Sequence, residues 1–125
     1  MNVVDSSAWL EYLGGWPNAD HFARAIEKTD DLIVPTLSLY EVFKRILQQR
    51  TESEALQVIA GMQQGRVVDM DTRISVSAAR IHMKHQLPFA DSVMLATARE
   101  YQATLWTQDA NFEGIDGVEY RIRSK

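Results

Sequence analysis

The chain has 125 residues, 46% of them hydrophobic and 24% charged, a composition that excludes a fibre, a disordered tail or a two-domain enzyme and predicts one domain over residues 1–125. The absence of cysteine excludes disulfide staples and thiolate zinc sites. With 13 Lys+Arg against 17 Asp+Glu, the net charge of −4 has the wrong sign for generic attachment to a polyanion.

Residues 2–4 read as a strand that stops at Asp5, where a short amphipathic helix begins that Gly14-Gly15 closes. A second helix fits residues 18–29 with Asn18 as its cap. The all-apolar Leu32-Ile33-Val34, ended by Pro35, then suits a strand buried on both faces. Over residues 36–49, Leu39, Val42, Phe43, Ile46 and Leu47 recur at helical spacing, and Glu41, Lys44, Arg45 and Gln48 share the opposite side. Thr51 followed by Glu54 is a capping-box pattern, opening a helix that Gly61 or Gly65 closes. Val67-Val68 makes a third strand. Asp71 caps a helix over residues 72–86 with Ile74, Ala78, Ile81 and His85 as its inner stripe, and Leu87-Pro88-Phe89 breaks it. Asp91 opens the next helix, from Ser92 to about Tyr101, and residues 104–107 and 118–122 supply a fourth and a fifth strand before a basic tail. Strands alternate with helices throughout, so the expected fold is a three-layer α/β/α domain around a mostly parallel sheet of four or five strands. No segment approaches the ~20 apolar residues of a membrane span, and the N-terminus lacks a basic region followed by an apolar one; the expectation is a soluble, unprocessed, cytoplasmic protein.

Asp5 and Asp109 each fall just beyond the C-terminal end of a predicted strand, and Asp91 falls at the start of a helix. Ligand crevices of open parallel sheets form at those strand ends, so three distant carboxylates can face one cleft. Gathering anions raises at least one pKa unless a cation offsets the repulsion. Oxygen-only ligands select Mg²⁺ or Mn²⁺, and phosphodiester hydrolysis is the chemistry that such an ion supports best. On pattern alone, Asp5 and Asp91 serve equally well as helix caps, and Asp109 as a loop acid. Glu41 reads as a surface residue, four positions before Arg45 in the favourable order for an i,i+4 ion pair.

Val-Val-Asp5-Ser6-Ser7-Ala-Trp, Leu-Ser-Leu-Tyr-Glu41-Val-Phe-Lys, Leu-Pro-Phe-Ala-Asp91-Ser-Val-Met-Leu-Ala-Thr-Ala and Thr107-Gln-Asp109-Ala-Asn111-Phe-Glu-Gly together resemble the PIN-domain ribonucleases, specifically VapC-type toxins of toxin–antitoxin pairs. The four motifs span nearly the whole chain in the family's order. The resemblance implies an endoribonuclease in which Asp5, Glu41, Asp91 and Asp109 surround Mg²⁺ or Mn²⁺, with Asp5 and Asp91 as direct ligands and Ser6 and Thr107 in support. It also implies an RNA substrate, a cognate antitoxin that covers the cleft, and a toxin homodimer. One position departs: Asn111 stands where members commonly carry a further acid, which weakens the hold on a second ion. Two other readings follow from the same residues. One is a PIN scaffold that binds without cutting; the other is a receiver-type Mg²⁺-binding signalling domain, for which Asp5 lacks an adjacent acid and residues 104–109 lack a lysine.

The remaining chemistry-bearing residues read more plainly. His82 and His85 suit packing better than metal binding, and His21 has no proposed role. Trp106 belongs to the core, whereas Trp16-Pro17 lies in a loop at an interface or near substrate. The basic clusters Lys44, Arg45, Arg50 and Arg121, Arg123, Lys125 are solvated faces or guides for an RNA backbone.

Overall fold

The computed structural model describes residues 1–124; Lys125 of the C-terminal basic cluster lies outside them. The elements run β1 (Asn2–Val4), α1 (Ser6–Gly14), α2 (Ala19–Ile26), β2 (Leu32–Pro35), α3 (Thr36–Gln49), α4 (Glu52–Met62), β3 (Arg66–Val68), α5 (Thr72–His85), α6 (Phe89–Glu100), β4 (Thr104–Thr107) and β5 (Val118–Tyr120), with 3-10 turns over Thr29–Asp31 and Ala110–Phe112. The five strands form one sheet in the order β3-β2-β1-β4-β5, and every pairing is parallel. The expected three-layer α/β/α fold is what the chain adopts.

Period-two alternation sorts the side chains onto the two faces of the sheet. Val3, Ile33 and Leu105 join one core, which contains Ile74, Ala78 and Ile81 of α5 and the buried run Val93–Ala96 of α6. Their neighbours Val4, Leu32 and Val34 join the other, with Ala8 and Trp9 of α1, Phe22 and Ala25 of α2, Val42 of α3 and Met62 of α4. All four residues of β2 are buried, as a strand covered on both faces requires. Gly65 is needed where the chain turns into β3, because a Cβ there would lie 2.9 Å from Val34 Cγ2 and 3.0 Å from the Leu32 carbonyl oxygen.

From β1 the chain winds outward through β2 and β3, then crosses back to place β4 on the other side of β1. The resulting switch point lies between β1 and β4, where a doubly wound sheet opens its ligand crevice. A receiver domain has the order 2-1-3-4-5 instead, so the topology excludes that reading.

The strand end at Pro35 and the span of α3 fall as expected, whereas several other boundaries differ. Pro35 is the last residue of β2 and also the residue before α3, because it fits an extended strand end and lacks only an N–H that a helix start does not use. Pro88 likewise precedes α6, which therefore begins at Phe89 rather than Ser92 and carries Asp91 in its first turn rather than as its cap. Asp5, Thr51 and Asp71 do cap, accepting from the backbone N–H groups of Ala8, Glu54 and Ile74. Asn18 precedes α2 but makes no cap bond, because its side chain is committed elsewhere. α2 stops at Ile26, short of residue 29, and β5 at Tyr120, short of Ile122. His85, in the last turn of α5, is half-buried rather than part of the buried stripe, and His82 is exposed, its Nδ1 2.7 Å from the Leu87 carbonyl oxygen. Trp106 is only partly buried, and its indole N–H donates to Asn2 Oδ1 at 2.8 Å.

Candidate active site

A cleft of about 870 Å³ opens at the switch point, and Asp5, Glu41, Asp91 and Asp109 all line it. Each acid reaches it from a different element: Asp5 follows β1, Glu41 lies in the second turn of α3 after β2, Asp91 lies in the first turn of α6, and Asp109 follows β4. Short junctions after β1, β2 and β4 bring Asp5, Glu41 and Asp109 to the carboxyl edge of the sheet, and the α5–α6 junction brings Asp91 there. The structure thus gathers into one cleft the four acids expected from sequence, including Glu41, which helical periodicity alone had put on the surface. Glu41 makes no ion pair with Arg45. Among the described residues the ion pair is Arg73–Glu100, while the His21 imidazole, which burial favours in its neutral form, lies 3.7 Å from Glu119; Glu41 instead accepts from Ser6 Oγ at 2.6 Å.

Asp5 is the most constrained member. It is 4% exposed; Oδ1 accepts from Ser7 Oγ at 2.7 Å and from the Ala8 N–H at 3.1 Å, and Oδ2 accepts from Thr107 Oγ1 at 2.6 Å. The Thr107 hydroxyl also accepts from the Asp109 N–H at 2.9 Å, so one side chain ties the ends of β1 and β4 together. Ser6 and Thr107, expected to support the site, each hold one carboxylate. Ser7 does the same and was not singled out from sequence, where three consecutive polar residues before a helix read only as a cap.

Burial pushes the Asp5 carboxyl up to about 6, against the lowering effect of its three donors and with Asp109's charge adding to the rise. Burial is also the main cause that raises Asp91, to about 7, with Asp109 and Asp5 acting in the same direction and the Asn111 donor opposing them. Asn111 Nδ2 donates to Asp91 Oδ2 at 3.1 Å, and the Asn111 N–H donates to Asp109 Oδ1 at 2.9 Å. Asn111 thus spans two of the acids and offsets part of their repulsion with a neutral dipole.

An oxygen-only donor set of this kind suits a hard divalent cation rather than a thiolate- or imidazole-preferring metal. Among the described residues, no three His, Cys, Asp or Glu side chains close on a common point tightly enough to hold an ion as they stand. Glu41 is engaged by Ser6 and Asp91 by Asn111. The excess of negative charge and the raised pKa values of Asp5 and Asp91 are what a cation at this cleft would relieve, so the residues fit such a group in donor chemistry.

Sequence reading missed a buried polar network beside the acids. Glu11, Asn18 and Gln108 are 2%, 6% and 5% exposed. Gln108 Nε2 donates to Glu11 Oε1 at 3.0 Å, the Asn18 N–H donates to Glu11 Oε2 at 2.9 Å, and Asn18 Nδ2 donates to Gln108 Oε1 at 3.1 Å. Gln108 sits between Thr107 and Asp109, so this network fixes the β4 end from behind.

The PIN domain family model matches residues 3–118: the chain belongs to the PIN-domain family. Its fold is similar to a chain of a toxin–antitoxin complex from Klebsiella pneumoniae, at 17% identity and TM-score 0.80 over 94% of this chain and 95% of that one. It is also similar to VapC20 of Mycobacterium tuberculosis, described as a toxin that cleaves the sarcin-ricin loop, at 15% identity and TM-score 0.74 over 93% and 95% of the two chains. A third similar structure is VapBC2 from Rickettsia felis bound to a promoter DNA fragment, at 10% identity and TM-score 0.75 over 97% of each chain. At such identities the likeness is one of fold, and it agrees with the VapC resemblance carried by the four motifs. No curated protein matches the sequence.

Proposed function

We propose that the protein is a divalent-metal-dependent endoribonuclease acting as the toxin of a toxin–antitoxin pair. The observation that carries this reading is the convergence of Asp5, Glu41, Asp91 and Asp109, from four separate elements, on one cleft at the switch point of a PIN domain. Asp5 and Asp91 would hold Mg²⁺ or Mn²⁺, with Glu41 and Asp109 completing the acidic shell. When bound, such an ion polarises a phosphodiester oxygen and makes water a stronger nucleophile at neutral pH. The chain's own contribution is orientation. Ser7, the Ala8 N–H and Thr107 fix both oxygens of Asp5, and Ser6 fixes one oxygen of Glu41. In this reading Asp109, whose own N–H is anchored to Thr107, and Glu41 would orient the attacking water and accept its proton. No protein nucleophile is required.

The same reading assigns the chain a single domain over residues 1–125, a cytoplasmic location, a homodimeric state and a cognate antitoxin. A basic side chain from that antitoxin would neutralise the acidic cleft when the cation is displaced. No described helix is long and apolar enough to cross a membrane. Asn111 favours one tightly held ion over two, and it is the observation behind the alternative of a PIN scaffold that binds RNA without cutting it. Incubating the purified protein with a defined single-stranded RNA separates these readings. Cleavage with Mg²⁺ or Mn²⁺ and none in excess chelator is expected, metal-independent cleavage contradicts the mechanism, and binding without cleavage supports the scaffold.

A pH dependence follows from the raised carboxyls. Asp5 and Asp91 titrate near 6 and 7 in the fold against 3.8 outside it, so between about pH 4 and pH 7 the native state binds more protons than the unfolded one, and stability from these groups falls as pH rises. The metal-free protein should therefore melt at a higher temperature at pH 5 than at pH 7.5. Saturating Mn²⁺, which requires the ionised carboxylates, should remove or reverse that slope. A melting temperature that rises from pH 5 to 7.5 without metal would contradict the assignment.

A further inference from the structure

The Glu11–Asn18–Gln108 network is buried and fully engaged, yet none of its members enters the chemistry proposed for the cleft. Its outward connections show what it holds. Asn18 Nδ2 also donates to the Ile122 carbonyl at 3.0 Å. The adjoining Arg121 is pinned twice, its N–H donating to the Thr107 carbonyl at 2.9 Å and its guanidinium to His21 Nδ1 at 2.9 Å. The C-terminal strap formed in this way leaves β5 and brings Arg123 to the wall of the acidic cleft.

On the neighbouring loop, the Trp16 N–H donates to the Glu11 carbonyl at 3.2 Å. Gly15 turns the chain with φ 65°, and the indole lies against Gly14, where a Cβ would come within 3.1–3.3 Å of three ring atoms. The ring is held on its backbone side and is nevertheless 61% exposed, facing the same cleft. Arg123, together with Lys44, Arg45 and Arg50 on the cleft wall, takes part in no ion pair among the described residues. The acidic centre is therefore rimmed by unpaired cations and one restrained aromatic face, an arrangement suited to a single strand. Phosphates need positive charge away from the carboxylates, and an unstacked base gains from a flat ring that loses little freedom on binding.

We propose that Trp16 and Arg123 form a subsite for one unpaired nucleotide of the RNA strand, with the indole stacked on the base and the guanidinium on a phosphate flanking the scissile bond. Glu11, Asn18 and Gln108 are the positioning residues of this subsite. The proposal rests on the nuclease reading above and adds to it a requirement for single-stranded substrate.

The test measures binding of a short labelled single-stranded oligoribonucleotide, and of its duplex, to Asp5→Asn protein carrying Trp16→Phe, Trp16→Ala or Arg123→Gln. Trp16→Ala should weaken single-strand binding about tenfold, the scale of one lost stack, and Trp16→Phe should stay within about threefold of the parent. Arg123→Gln should weaken binding and lower the slope of log affinity against log salt by about 0.7, the value for one phosphate contact on a single strand. Duplex should bind more weakly and should not distinguish Trp16→Phe from Trp16→Ala. In protein with Asp5 intact, the losses should fall on KM rather than kcat. Both side chains are exposed, so melting temperatures should not move. Unchanged binding by Trp16→Ala and Arg123→Gln, in a protein whose wild type cleaves RNA, overturns the subsite and leaves the nuclease reading standing. The same holds if Trp16→Phe is as damaging as Trp16→Ala, or if Trp16→Ala loses only a protein partner. A wild type that neither binds nor cuts single-stranded RNA removes the nuclease reading, and the subsite with it.

Discussion

Asp5→Asn is expected to lower metal-dependent RNA cleavage by about 10²–10³-fold, the scale of losing one preorganised electrostatic group from a catalytic centre, while making the metal-free protein more stable. Asp5 is buried and its carboxyl is pushed up to about 6 against 3.8. Ionising it at neutral pH therefore carries a penalty on the order of 3 kcal/mol, at 1.36 kcal/mol per unit. The amide removes that penalty and can keep the local bonds. Its oxygen still accepts from Ser7 and Ala8, and its NH₂ faces the Thr107 hydroxyl, which can turn to accept. Opposite signs for activity and stability are the signature of a carboxylate kept for function rather than folding. If Asp5 were only the cap of α1, the exchange would be nearly neutral in both, because Asp and Asn cap about equally well.

Glu11→Ala should have the largest effect on stability outside the apolar core. It removes the acceptor of the Asn18 N–H and of Gln108 Nε2, both buried. Each unpaired donor costs about 1–3 kcal/mol, so a loss of about 2–6 kcal/mol is expected from a domain whose total stability is of order 5–15 kcal/mol. Thermal denaturation should show a fall of roughly ten degrees or more, and activity should fall with it, because Gln108 lies between Thr107 and Asp109. Glu11→Gln, which keeps one acceptor, should be intermediate. A shift under about two degrees for Glu11→Ala would mean that water replaces the carboxylate and that the network does not brace the site.

Much of this was legible in the sequence because it depends on local pattern. Leu32-Ile33-Val34 had to be a doubly covered strand, Asp71 and Thr51 had to cap, and an aspartate after each of two strands pointed to a shared edge. Glu41 shows where pattern stops being sufficient. Periodicity correctly takes it off the core stripe, but a side chain two turns into α3 can still reach the carboxyl edge, where Ser6 meets it from 35 residues away. Only the resemblance supplied that placement. The Glu11–Asn18–Gln108 network was invisible for a related reason. Its bonds join residues up to 97 apart in sequence, and each member alone looks like an ordinary cap or a solvated polar residue. The junction at Pro35 was read correctly, but the start of α6 after Pro88 was misplaced, because proline marks a helix start as readily as the break that ends the preceding helix.

The overall charge also takes on a location. Without Asp5, Glu41, Asp91 and Asp109, the acids number 13, equal to the 13 Lys+Arg. The acidity that argued against a nucleic-acid partner corresponds in number to the four carboxylates of one cleft, and unpaired basic side chains line that same cleft.

Direct measurement of Mn²⁺ binding to the folded protein, by the loss of the free-ion electron paramagnetic resonance signal, tests the central claim without relying on knowledge of the RNA target. Wild-type protein should bind one ion tightly at pH 7.5, Asp5→Asn and Asp91→Asn should each lose most of that affinity, and lowering the pH to 5 should weaken it in the wild type. Equal Mn²⁺ binding by all three proteins, or none by the wild type, would contradict the assignment of this cleft as a cation-dependent catalytic site.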